Sequence, residues 1–235
     1  MAPPASDAGE STAGRDASVH AVMTNADAGG AGPAPRLKDG FRRVAIDAAR
    51  LKVIERDSGP INYYSVVNDR EGAYIHSSYR YPYKTAVLGY AIPDDLRRRV
   101  ARIEWRWRAI TLPTNGNECI GPSDSAAVFY LLWRRGLRWY TLKYVWSTSA
   151  QKGSHCDHRR NVFQAQDTIV LESGPSNGVW RDEAVDPDFE FRKFFENGDP
   201  QGDVPDLGGI GIMSDGDQSK SNSEADFGEF VIVYR

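Results

Sequence analysis

The chain has 235 residues, a formal net charge of −3, and 40% hydrophobic residues. A single β-sandwich or β-barrel of about 200 residues is within the normal range, and its core is stable without metals or disulfides. The near-neutral charge argues against nucleic acid or an anionic membrane as a partner. No apolar run approaches the roughly 20 residues that a transmembrane helix needs.

The first thirty-six residues are rich in Ala, Gly, Pro, Ser and Asp and hold few large apolar side chains. Such a segment buries too little surface to offset the entropy cost of ordering. We therefore predict a disordered tail over residues 1–36 and one β-sandwich domain over residues 37–235. The tail lacks the basic and apolar regions of a signal peptide. Two alternatives follow: an exported protein whose signal peptide was removed, or a cytoplasmic protein.

Five short segments rich in Val, Ile and Tyr come next, separated by turn sequences, and predict strands: 42–47, 50–56, 61–67, 72–79 and 85–92. Residues 93–99 predict one helical turn that begins with proline. The segment 102–110 then alternates strictly. Ile103, Trp105 and Trp107 share one face, which suits a core, and Glu104, Arg106 and Arg108 share the other, which suits water or a polar ligand.

Segments 126–134 and 137–146 predict a hairpin around Arg135-Gly136, with glycine where a positive φ is needed. The predicted register pairs Arg134 with Leu137 and Phe129 with Leu142. Extending it beyond the strands brings Cys119 close to Cys156. These are the only cysteines, and a disulfide between them favours an oxidising compartment. Two free thiols in adjacent loops are the alternative.

The remaining elements are a strand over 166–173, a helix over 187–197 and two final strands around Asp215-Gly216-Asp217. Asp186 is the predicted N-cap of the helix, Pro187 its first residue and Gly198 its stop. Many short strands with one helix indicate a mainly β fold. We predict a single antiparallel β-sandwich of the jelly-roll or galactose-binding-like kind.

The order of several motifs resembles a bacterial family known as domain of unknown function 3047. The resemblance covers roughly residues 40–235 and rests on Trp105-Arg106-Trp107, Leu112-Pro113, Asp124, Tyr144-Val145-Trp146, Val170-Leu171-Glu172-Ser173-Gly174, Trp180, Asp188-Phe189 with Phe195, Gly211-Ile212-Met213-Ser214-Asp215-Gly216-Asp217 and Phe227-Gly228-Glu229-Phe230. It implies a carbohydrate-module-like β-sandwich, usually in exported bacterial proteins, and no established activity. This chain departs from the family pattern at Ser123-Asp124-Ser125, where paired aspartates are typical, at Gln218 and at Glu229.

A set of acids near the end of the chain suggests a cation site. Asp215, Asp217, Asp226 and Glu229 supply carboxylate oxygens, which hard cations such as Ca²⁺ prefer. The prediction is a structural Ca²⁺ site, and no catalytic residue is assigned. A solvated turn, in which the aspartates bind their own backbone, is the alternative.

Saccharide binding is indicated by the aromatic and basic residues. Trp139 lies beside the predicted turn and is the candidate for an exposed ring that stacks on a sugar. Arg106 and Arg108, with Lys143 close by, are candidates for binding an acidic polysaccharide. The same surface with His76 or a tyrosine has the groups needed for β-elimination. The alternative is an exposed strand face held by salt bridges.

The run His155-Cys156-Asp157-His158 has the side chains that bind zinc. Four consecutive residues cannot easily surround an ion, and no second Cys/His pair is spaced to complete the site.

These observations predict a periplasmic or secreted protein that binds a glycan or serves as an interaction module, with polysaccharide as the partner. A polysaccharide lyase or glycosidase on the same fold is the first alternative. The second is a structural subunit that joins a protein assembly through residues 1–36.

Overall fold

Two β-sheets pack face to face in the computed structural model, which describes residues 40–56 and 62–235. The predicted tail over residues 1–36 lies outside the described residues. The strands are β1 Arg42–Ala45, β2 Lys52–Arg56, β3 Tyr64–Asp69, β4 Gly72–Tyr79, β5 Ala86–Ala91, β6 Val100–Thr111, β7 Ala127–Arg135, β8 Arg138–Ser147, β9 His155–Arg160, β10 Gln164–Ser173, β11 Arg181–Val185, β12 Leu207–Met213 and β13 Ser223–Tyr234. The helices are α1 Asp94–Arg97 and α2 Pro187–Phe195. None of the described helices combines the length and apolar character needed to cross a membrane.

One sheet, called here the β6 sheet, has the order β11-β6-β13-β4-β3, with β1 also paired to β13. The other, called the β8 sheet, has the order β2-β5-β12-β7-β8-β10-β9. Neighbouring strands are antiparallel except β8 and β10, which are parallel. The predicted mainly β fold and its sandwich architecture are confirmed.

The core lies between the sheets and is aromatic. Trp105 of β6 stacks on Phe129 of β7, with ring centroids 4.0 Å apart, and thereby joins the two sheets. Trp107, Trp133 and Trp146 are also fully buried. Aromatic pairs of this kind bury large apolar areas and add about 1 kcal/mol each beyond that burial. The assignment of Trp105 and Trp107 to the core is therefore confirmed.

The β7–β8 hairpin turns one residue later than predicted. Arg135 pairs with Arg138 and Leu131 with Leu142, so the turn is Gly136-Leu137. Gly136 has φ +60°, a conformation that a side chain disfavours, and it therefore fixes the first turn position. The predicted Phe129–Leu142 pair is wrong. The residues that share each face of the hairpin are still the predicted ones, because the partner of each residue moved by two positions and not by one.

Helix α2 begins where the sequence predicts and ends at Phe195, two residues early. The Asp186 carboxylate accepts hydrogen bonds from the backbone N–H groups of Asp188 and Phe189, which caps the helix. Phe191 is buried, and its ring centroid lies 5.4 Å from that of Trp133. The helix therefore closes the end of the sandwich that carries the β7–β8 turn.

Cys119 and Cys156 form a disulfide, with their Cα atoms 5.2 Å apart. The predicted pairing is confirmed. The sequence suggested that Cys156 lies in a loop after β8, whereas the structure places it within strand β9. The disulfide therefore ties the loop before β7 to the edge strand of the β8 sheet.

Candidate functional site

Arg106 and Arg108 lie on the outer face of the β6 sheet. Their neighbours Trp105 and Trp107 point into the core, so the alternation of side chains along β6 turns the two arginines outward. Both guanidinium groups stack on Trp180, with their central carbons 4.3 Å and 4.5 Å from the ring centroid. Trp180 therefore belongs to the arginine cluster on this face.

Carboxylates of the fold neutralise both of these arginines. Arg108 Nε donates to Asp226 Oδ2 at 2.7 Å, and its Nη1 lies 3.0 Å from Glu71 Oε2. Arg106 Nη1 lies 3.1 Å from Glu229 Oε1. Only 3% of the Asp226 side chain is exposed, and its other oxygen is 2.7 Å from His76 Nδ1. The face is an ion-pair network whose charges are already compensated.

Lys143 lies elsewhere in the molecule. It pairs with Tyr130 across the β7–β8 hairpin, and the adjacent Phe129–Tyr144 pair faces the core. Lys143 therefore belongs to the outer face of the β8 sheet. The predicted proximity of Lys143 to Arg106 and Arg108 is wrong, because the lysine and the arginines lie on opposite outer faces of the sandwich.

The four predicted metal ligands fall into two separate groups. Asp215 and Asp217 follow β12 and approach Asp124, so that one oxygen of each carboxylate lies within 4.8 Å of the others. Asp226 and Glu229 are within β13 and bind Arg108 and Arg106. The predicted four-carboxylate set is therefore wrong as a single cluster, and Asp124 takes the place of the two residues from β13.

Backbone groups bind the carboxylates of the Asp124 cluster. Asp215 Oδ1 accepts from the Ser125 N–H at 3.0 Å, and Asp124 Oδ1 accepts from the Gln218 N–H at 3.3 Å. Burial raises the pKa of Asp215 well above its ordinary value, although the nearby Lys143 acts in the opposite direction. These contacts fit the alternative of aspartates that hold a loop. A cation bound by the predicted ligands Asp215 and Asp217 stays a prediction.

Gly216 explains why this acidic loop contains a glycine. A Cβ atom at this position would lie 2.3 Å from the Ser221 carbonyl oxygen. The loop closes back on itself there, with Ser221 N–H donating to Gly216 O at 2.9 Å. The glycine between the two aspartates is thus required by a close backbone approach.

A cavity of about 720 Å³ opens beside the β7–β8 turn. Its walls come from the hairpin, from α1, from the start of α2 and from the segment before β12. The lining residues are Arg97, Arg98, Arg134, Arg135, Gly136, Trp139, Asp188, Asp203, Val204, Pro205, Asp206 and Gly208. This volume is within the range of about 300–1,000 Å³ that is usual for small-molecule sites. Trp139, predicted as a ligand-binding ring, is half-buried in this wall.

The arginines of the cavity differ in how they are paired. Arg98 Nε lies 2.7 Å from Asp206 Oδ1, and Arg135 Nη2 lies 2.9 Å from Glu196 Oε1. Arg134 instead donates from Nε to the Gly136 carbonyl at 2.9 Å, and its guanidinium carbon is 5.4 Å from the Trp139 ring centroid. No carboxylate oxygen of residues 40–56 or 62–235 lies within 4.0 Å of its charged nitrogens.

The sequence reasoning identified Trp139 and missed the arginines around it. Residues 93–99, which include Arg97 and Arg98, were assigned only a helical turn, and Arg134 and Arg135 served only to place the hairpin turn and its register. A signal was present, because the true hairpin register places Arg134 directly opposite Trp139. The contribution of residues 203–208 had no local signal, since they reach the hairpin only through the tertiary fold.

A search of curated proteins found no match. Among solved structures, the chain is similar to a family 11 carbohydrate-binding module of a cellulosomal cellulase of Clostridium thermocellum. The identity is 9%, the match covers 83% of this chain and 88% of that chain, and the TM-score is 0.39. A xyloglucanase domain of a Sinorhizobium fredii type three effector has 11% identity over 75% of this chain and 95% of that one, with a TM-score of 0.44. A Trichoderma harzianum family GH12 endoglucanase has 11% identity over 85% and 92%, with a TM-score of 0.39.

Likeness at these identities and scores carries no argument about a shared ligand or reaction. A family model gives the firmer result, since it matches residues 58–231 and so includes most of both sheets. The chain therefore belongs to the family described as protein of unknown function (DUF3047).

Proposed function

We propose that this protein binds saccharides that carry carboxylate groups, in the cavity beside the β7–β8 turn. One observation carries the proposal: Trp139 and Arg134 both line the cavity and contact each other, with the guanidinium carbon over the indole ring at 5.4 Å from its centroid. The proposed binding unit is the domain over residues 37–235.

The two side chains suit the two kinds of surface that an acidic sugar presents. An indole ring packs against the apolar C–H face of a pyranose ring and contributes a large contact area with little loss of conformational freedom. A guanidinium group binds a carboxylate through two parallel hydrogen bonds, which fixes the orientation of the sugar. An aromatic ring next to an arginine therefore selects for a ring-shaped ligand with a negative charge.

Charge pairing favours this cavity over the outer face of the β6 sheet. Arg106 and Arg108 are engaged by Glu229, Asp226 and Glu71. A ligand there would have to replace contacts that the fold already makes, and the net gain would be small. Arg134 bonds to a carbonyl and contacts the Trp139 ring, and no carboxylate oxygen of the described residues lies within 4.0 Å of it. A ligand carboxylate therefore adds a contact without displacing another carboxylate of that part of the chain.

The disulfide favours an oxidising compartment as the place of this function. A Cys119–Cys156 bond persists in oxidising surroundings, which are typical of the periplasm and the extracellular space. We therefore propose that the protein is exported and meets polysaccharide there. An assembly subunit that binds its partner through residues 1–36 is the alternative, and unchanged glycan binding after removal of those residues would count against it.

Titration calorimetry with defined oligosaccharides tests the binding proposal. We expect binding of an oligouronate at low salt, weaker binding at high salt, and little binding of a neutral gluco-oligosaccharide of the same length. Trp139→Ala should weaken binding of the oligouronate at least tenfold. The matched control is Trp180→Ala, on the outer face of the β6 sheet, which should change the affinity by less than twofold. Absence of binding to every acidic sugar, or equal affinities for the two variants, would overturn the proposal.

A lyase is the second candidate function, and one observation favours it. His76 Nδ1 lies 2.7 Å from the buried Asp226, which also holds Arg108 at 2.7 Å. A carboxylate that orients a histidine beside an arginine is an arrangement used for proton abstraction near a neutralised acid group. Incubating the protein with polyuronates and measuring the absorbance of unsaturated uronate products tests this candidate. A signal lost in His76→Ala would support it, and no signal on any substrate would reject it.

A further inference from the structure

We propose that His155, His158 and Asp167 bind a zinc ion at the outer edge of the β8 sheet. This site is separate from the proposed saccharide cavity, none of whose lining residues it shares. It rests on the position of three side chains from two neighbouring strands and does not depend on the proposed function.

A β-bulge brings the two histidines to the same face of β9. Residues 155 and 158 of a regular strand would point to opposite faces, because side chains alternate. Between the pairs Gln166–Arg159 and Thr168–Cys156, however, β9 has two residues where β10 has only Asp167. The extra residue restores a common direction for His155 and His158, which is a usual effect of such bulges.

The distances within the cluster suit coordination of one ion. Asp167 Oδ1 lies 2.8 Å from His158 Nδ1 and 3.6 Å from His155 Nε2. One ligand atom from each residue lies within 4.8 Å of the other two. Nitrogen and oxygen ligands about 2.0–2.2 Å from a tetrahedral zinc ion are separated from each other by about 3.4 Å. The observed spacings lie on both sides of this value, so small side-chain rotations suffice to admit the ion.

The surroundings hold the ligands in place. Asp167 is completely buried, and its second oxygen, Oδ2, accepts from Arg160 Nη2 at 2.6 Å. The ring of Phe194 packs against His155 with 4.5 Å between centroids. Contacts of this kind around metal ligands fix their orientation. Arg160 also repels a cation, so we expect affinity in the micromolar range and not the tighter binding of a closed structural site.

The composition of the site indicates what kind of zinc site it is. Cys156 is part of the disulfide and has no thiolate to offer. Two imidazoles and one carboxylate leave a fourth position, which zinc sites with three protein ligands fill with water or substrate. The exposed fractions of the His155 and His158 side chains, 35% and 52%, give solvent access to it. The fourth ligand is therefore an oxygen donor from solvent.

Zinc titration of the EDTA-treated full-length chain tests the proposal. Calorimetry should show one ion per chain, and His155→Ala and His158→Ala should each weaken binding at least tenfold. His76→Ala, which removes a histidine from the other sheet, should leave affinity within twofold. No binding by the wild-type chain, or unchanged binding by both cluster variants, would overturn the proposal.

A second measurement protects against variants that fail to fold. The imidazole NMR signals of the wild-type chain should shift on adding zinc for His155 and His158 and stay in place for His76. Shifts confined to other histidines would place the ion elsewhere and would reject the assignment.

Discussion

The outer face of the β6 sheet and the cavity beside the β7–β8 turn have similar residues and different chemistry. Each contains at least two arginines, one partly exposed tryptophan and several acids. On the β6 sheet, the arginines are held by Asp226, Glu71 and Glu229. In the cavity, Arg134 has a backbone carbonyl as its hydrogen-bond partner and lies beside Trp139.

This difference teaches that the number of arginines on a surface does not identify a binding site. What decides is whether the fold already supplies the carboxylates. A paired arginine contributes to stability when it is partly buried, whereas one without a carboxylate partner can contribute to binding. The following predictions test this division of roles, from the largest expected effect to the smallest.

Asp226→Ala should lower the free energy of unfolding by about 3 kcal/mol, because it leaves Arg108 in a largely buried position without its closest partner. Only 15% of the Arg108 side chain is exposed. Urea denaturation measures the change. The control is Glu229→Ala. The Glu229 side chain is 61% exposed, so its removal should lower the free energy of unfolding by less than about 1 kcal/mol. Equal decreases in the free energy of unfolding of the two variants would contradict the stabilising role of the buried ion pairs.

Arg134→Ala should weaken oligouronate binding about tenfold, or about 1.4 kcal/mol, with little effect on stability. The reason is the loss of the one cavity arginine that has no carboxylate partner within the described residues. Calorimetry at low and high salt measures both the affinity and its salt dependence. Arg106→Ala is the matched control and should bind as the wild type does. A stronger effect in the control would reverse the roles of the two regions.

The smallest effect concerns Asp215, which faces Asp124, Asp217 and Lys143. Burial raises its pKa in the folded state well above the unfolded value, so the folded state holds its proton more tightly. Its contribution to the free energy of unfolding therefore falls as the pH rises from about 4 through the folded pKa.

The variant Asp215→Asn isolates this contribution, because its side-chain oxygen can still accept from the Ser125 N–H. Denaturation curves measured between acid and neutral pH should converge at low pH. They should separate as the pH rises, with the wild type losing more stability. Parallel curves would show that the carboxylate does not titrate in this range.

Local patterns predicted those parts of the fold that depend on neighbouring residues. The alternation along β6 identified Trp105 and Trp107 as core, and the capping residues located the start of α2. The approach of Cys119 to Cys156 followed from extending a hairpin, and it survived an error in the register.

The errors came from contacts that link distant segments. Asp226 was grouped with Asp215 because the two are close in sequence, yet the pairing of β13 with β4 and β6 turns Asp226 toward His76 and Arg108. The zinc candidate needed Asp167 and a bulge in β9, neither of which follows from the His-Cys-Asp-His run. The cavity needed residues 203–208 beside the hairpin, a position that only tertiary packing determines.

The position of strand β13 affects how the protein folds during translation. It lies between β6 and β4 and also pairs with β1. On the ribosome, therefore, the described strands of the β6 sheet stay in three unconnected parts, namely β11-β6, β4-β3 and β1, until residues 223–234 have been synthesised. Until then, β4 and β6 present open edges, which are prone to wrong pairing with other chains. The β6 sheet can therefore be completed only after translation has reached this strand.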